Sequence, residues 1–92
     1  MVITKTLKDL TAWLKSLTAI EAIEFYVEDV KVEVVYSIEE FEEVFKEVPG
    51  FKAFSYQILS DGLDEENPKR RIYWFYALQS SRHDIKIYES LN

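Results

Sequence analysis

The chain has 92 residues, a formal net charge of −6, no cysteine, one histidine and two glycines. That length holds one domain, residues 1–92, with a modest core. Disulfides, thiolate metal sites and a cysteine nucleophile are excluded, no glycine-rich loop cradles a phosphate, and the acidic balance disfavours nucleic-acid binding through a general basic field.

The first residues, Met1-Val2-Ile3-Thr4-Lys5, lack the apolar stretch of a signal peptide. No apolar run approaches the roughly 20 residues that span a bilayer. With the missing cysteines, this leads to the expectation of a cytoplasmic protein. Leu7, Leu10, Trp13, Leu14 and Leu17 then recur at i, i+3, i+4 spacing and predict an amphipathic helix that fades near Ser16-Leu17-Thr18. Thr6 and Asp9 stand where a capping pair would open it.

Alternation follows. Ile23, Phe25 and Val27 oppose Glu24, Tyr26 and Glu28; after Glu28-Asp29, Val30, Val32 and Val34 oppose Lys31 and Glu33. Period-2 patterning with β-branched residues predicts strands. The short join at Glu28-Asp29 fits either a hairpin or a bend in one long strand.

Ser37-Ile38-Glu39-Glu40 reads as a capping box opening a second helix, with Tyr36 and Phe41 at the positions of a hydrophobic staple. Phe41, Val44, Phe45 and Val48 form its apolar stripe, and Pro49-Gly50 ends it. Phe54, Tyr56 and Ile58 alternate as a strand. Ser60 to Pro68 is polar, contains Gly62 and Pro68, and reads as a flexible loop. Ile72-Tyr73-Trp74-Phe75-Tyr76-Ala77-Leu78 is aromatic on both faces, Gln79 to His83 reads as a turn, and Asp84 to Glu89 is a last amphipathic strand.

The order α-β-β-α-β-β-β predicts an α+β fold with an antiparallel sheet of about five strands. Its simplest form packs both helices on one face; one helix on each face is the alternative. In the first form, Tyr26, Tyr73 and Phe75 would make the bare face apolar enough to predict a homodimer. Charged residues are 30% of the chain, with two Asn and two Gln, a bias shared with thermophile proteins.

The chemistry-bearing residues are sparse. His83, beside Arg82 and Asp84, sits in a polar stretch and reads as solvated, so no catalytic residue is expected and the chain is read as a non-enzyme. The glutamates at 39, 40, 42 and 43 match no cation-loop spacing, and no metal or cofactor site is expected. Lys69-Arg70-Arg71, next to Tyr73, Trp74, Phe75 and Tyr76, carries the alternative reading of a small nucleic-acid-binding or regulatory protein.

Charge placement carries the leading reading. Residues 21–47 hold ten acidic and two basic side chains, while residues 48–92 balance six against six. On the predicted fold, Glu24, Glu28, Glu39, Glu40, Glu42 and Glu43 should contribute to one acidic face. Such a face would dock on a partner protein's basic surface, with complementary potentials steering association.

Residues 23–27, 30–34 and Ser37-Ile38-Glu39-Glu40-Phe41-Glu42-Glu43-Val44 resemble the small acidic proteins of archaeal viruses, in particular viral inhibitors of type I-D CRISPR systems. The overlap covers residues 7–48. The resemblance implies a homodimeric α+β protein that binds the large nuclease-containing subunit of a host effector complex and inhibits it stoichiometrically. It also implies that Glu39, Glu40, Glu42 and Glu43 lie on the docking face.

Overall fold

Every strand in a computed structural model of the chain joins one six-stranded antiparallel sheet; the described residues are 4–5, 7–48 and 50–91. The elements are β1 (Thr4–Lys5), α1 (Leu7–Lys15), β2 (Ile20–Val27), β3 (Val30–Val35), α2 (Ile38–Glu47), a single 3-10 turn (Phe51–Ala53), β4 (Tyr56–Asp64), β5 (Asn67–Ala77) and β6 (Ser80–Ser90). The five long strands and two helices follow the predicted order. The two-residue β1, which pairs with the start of β4, is an addition. The strands are arranged β1-β4-β5-β6-β2-β3.

The stripe of α1 buries Leu10 and Leu14, with Leu7, Trp13 and Leu17 at the core margin. Thr6, the expected cap, lies outside the described residues, as does Pro49. At α2 the Ser37 hydroxyl accepts from the Glu40 N–H at 3.2 Å. The Glu40 carboxylate accepts from the N–H of Tyr36, one residue before the cap, at 3.4 Å. The staple does not form, because Tyr36 is 65% exposed while Phe41 is buried and stacks on Phe25 at 5.6 Å. Gly50 turns the chain out of α2 with φ of +94°, a conformation that L side chains rarely adopt.

Register decides which face each residue takes. Phe25 pairs with Ile85, and Ile85 with Phe75, so these three point the same way. Phe75 meets Trp13 of α1 edge-on at 5.1 Å, and Phe25 meets Phe41 of α2. Both helices therefore cover one face of the sheet. Between them Phe25, Phe41, Phe45, Phe51, Tyr56 and Phe75 are fully buried. At about 150–250 Å² per ring, these side chains dominate the apolar area the short chain removes from water.

The hairpin reading of the Glu28-Asp29 join holds, and three other expectations change. Glu28 and Asp29 adopt φ of +52° and +65°, so β2 and β3 form a hairpin with the left-handed two-residue turn that suits strand twist. A bulge at Val32 then shifts the phase of β3: Val35 is buried beside Ile23, whereas Val30 and Val32 are 61% and 43% exposed. Residues 60–68 are not a loop. β4 and β5 stay paired until Asp64 meets Asn67, leaving a turn of Glu65-Glu66. Polar side chains suit this end of the ribbon, where Leu59 and Leu63 are also exposed. Pro68 is tolerated there because it lies beyond the last β5–β6 pair, Arg70 with Ser90. The next turn is shorter than expected as well, Leu78-Gln79 only, so His83 belongs to β6.

Candidate functional site

Alternation sends every second residue of the central strands away from the helices. Three cross-strand rows result: Tyr26–Asp84–Tyr76, Glu24–Lys86–Trp74 and Ala22–Tyr88–Ile72. No element among the described residues covers them. All nine are half-buried, chiefly by one another. The pattern arises because β5 carries large rings at 73, 74, 75 and 76, enough for both of its faces.

Glu24 is the hub of this face. One carboxylate oxygen accepts from the hydroxyls of Tyr26 and Tyr88, each at 2.8 Å. The other meets the Lys31 ammonium at 2.8 Å. Burial would raise its pKa, but the bonds from Lys31 and the two phenols outweigh that and hold it below the ordinary carboxylate value. Burial, then the Glu24 carboxylate, pushes the Tyr88 phenol up. Arg70 stands at the other end. Its guanidinium donates to Asp64 through Nε at 2.8 Å and also through Nη2, reaches Glu21 at 3.0 Å, and lies over the Tyr88 ring. Lys86 lies over the rings of Trp74 and Tyr26, 4.9 and 5.7 Å from their centroids.

A concavity of about 160 Å³ opens between Tyr26, Asp29, Trp74, Asp84 and Lys86. Burial raises the Asp84 carboxyl above its ordinary value, and the nearby Asp29 charge adds to that. The Trp74 indole Nε1–H is shielded from solvent and faces the Asp84 carboxylate, an interaction that partly opposes that rise. A second, shallower groove of about 430 Å³ runs between the helices, lined by Leu7, Lys8, Thr11, Ala12, Lys15 and Glu42.

The acidic residues expected to share a face are divided by the sheet. Glu39 and Glu43 point outward from α2, on the helix side. Glu40 is engaged in the cap, and Glu42 turns into the groove beside α1. Glu24 lies on the opposite side of the sheet, and Glu28 sits in the β2–β3 turn, paired with Arg82 at 3.0 Å. Density of charge along the sequence does not determine on which side of a sheet the charges emerge.

Two of the residues expected on the bare face are also misplaced. Phe75 is fully buried, and Tyr73 packs edge-on under Trp13 at 4.8 Å with its hydroxyl donating to Glu89 at 2.7 Å. Tyr26 is on the bare face as expected. Its ring companions are Trp74, Tyr76 and Tyr88; sequence reasoning named the first two only beside the basic cluster and did not single out Tyr88. The usable signal lay in β6, where Ile85 and Ile87 set the inward phase and Asp84, Lys86 and Tyr88 the outward one. The basic cluster splits in the same way. Arg70 joins the bare face, while Arg71 goes to the helix side, pairs with Asp61 at 3.2 Å and lies over Tyr73. His83 is half-buried, packed against Phe51 and Phe54 with ring centroids 5.0 and 5.2 Å away, and not in a solvated turn.

Among the described residues no group of three or more His, Asp or Glu side chains is placed to hold a metal ion, and no helix is long and apolar enough to cross a membrane. The chain matches no protein-family model, no curated protein and no solved structure. The resemblance drawn above therefore rests on its residues alone.

Proposed function

We propose that the protein is a non-catalytic binding module that docks a partner protein with a basic surface, and that the bare face of the sheet is its working surface. One observation carries the reading. Tyr26, Trp74, Tyr76 and Tyr88 stand together on a face that no element of the described chain covers. Rings of this kind give large contact area at low entropic cost and are enriched in interfaces. The acid groups at one end, Asp29 and Asp84, favour a basic partner over an acidic one. The exposed Glu39 and Glu43 of α2 form a second acidic surface on the far side. The resemblance to inhibitors of type I-D systems narrows the partner to the large nuclease-containing subunit of such a complex.

The test is capture of partners from a lysate of the source cell by three proteins: wild type, Trp74→Ser with Tyr76→Ser, and Glu39→Lys with Glu43→Lys. Circular dichroism first establishes that all three fold. Loss of a basic partner from the Trp74/Tyr76 variant, with retention by the α2 variant, supports the bare face. The same partner on the Trp74/Tyr76 variant, lost instead from the α2 variant, moves the function to α2. Direct binding of a purified type I-D large subunit tests the narrower reading.

The continuity of Ile72, Trp74, Tyr76 and Tyr88 also favours self-association, with a homodimer formed face to face. Light scattering separates the two occupants: a species of 10.9 kDa at all working concentrations removes the dimer, and a doubled mass that the Trp74/Tyr76 variant abolishes supports it.

A further inference from the structure

We draw no further inference here: the strongest candidate, the groove between α1 and α2 with Lys8, Thr11 and Lys15 on one wall and Glu42 on the other, sets charges of both signs against any one occupant, and nothing in the structure shows what covers it.

Discussion

Replacing Glu24 by Gln should destabilise the protein by about 2 kcal/mol at neutral pH, and the loss should shrink in acid. The carboxylate accepts from two phenols at 2.8 Å, and its side chain is only 12% exposed. Hydrogen bonds to a charged acceptor contribute about 1.5–3 kcal/mol each, and neutral ones about 1. An amide keeps the shape but turns both phenol bonds neutral, a loss of about 1 kcal/mol for each. It also aims an NH2 group at the Lys31 ammonium, which is half-exposed and returns to water. The sign of the pH dependence follows from the lowered pKa. Glu24 stabilises the folded state above its unfolded-state value of 4.5, and that stabilisation is lost as pH falls through the lower folded-state value. Urea unfolding, read as a shift of midpoint at constant slope, measures the gap between wild type and variant at several pH values. A gap under about 0.5 kcal/mol at pH 7, within the range of ordinary surface substitutions, would refute the hub. So would a gap of the same size at pH 7 and at pH 3.

Asp84 should behave with the opposite sign. Its carboxyl is raised by burial and, to a smaller degree, by Asp29, with the Trp74 indole and His83 opposing, so ionisation costs folded-state stability at neutral pH. Asp84→Asn should therefore raise the urea midpoint at pH 7, and its advantage should close as pH falls through the folded-state value toward 3.8, where the unfolded carboxyl also protonates. Gly50→Ala should cost at least about 1–3 kcal/mol, the penalty for a side chain at positive φ; an added Cβ would also come 2.7 Å from Nε2 of His83, and thermal unfolding at fixed pH measures the loss. Tyr73→Phe should cost about 1–2 kcal/mol by removing a donor from the buried Glu89 carboxylate, which also accepts from the Thr18 N–H at 2.8 Å. The Tyr73 phenol, pushed up to about 12 by burial and then by Glu89, should ionise only in strong alkali in an ultraviolet titration of the wild type, and the late transition, which other raised phenols such as Tyr88 share, should lose one phenol's amplitude in the variant.

The elements legible in the sequence are those that face the core on one side and water on the other. α2 announces itself through Ser37 and Glu40 and through the spacing of Phe41, Val44, Phe45 and Val48. β2 and β6 do so through Ile23 and Phe25, and through Ile85 and Ile87. Legibility fails where that contrast fails. β5 has rings on both faces, so alternation cannot say whether Tyr73 and Phe75 or Trp74 and Tyr76 point inward; the register with β6 decides it. In β3 the contrast exists, but the Val32 bulge resets its phase, and a bulge leaves no mark in composition. The ribbon from Ser60 to Arg71 carries polar side chains, Gly62 and Pro68, and so resembles a loop although it is paired almost throughout. The acidic third is legible as charge but not as a surface, because Glu24 and Glu43 emerge on opposite sides of the sheet.

The bare face differs from a merely solvated one in how its charges are used. Lys31 is tied to Glu24, Arg70 to Asp64 and Glu21, and Lys86 is laid over two rings. Side chains held this way have already given up much of their rotamer freedom in the free protein. A partner that docks on them pays less ordering entropy than one docking on loose surface lysines. At the Glu24 hub every oxygen has a donor. At the Asp29–Asp84 end burial works against the Asp84 charge, with the Trp74 indole beside it opposing. On the proposed reading, a neutral apolar partner could cover the rings but would bury the Asp29 and Asp84 carboxylates at a cost, so the rings supply contact area and the acid end favours a basic partner.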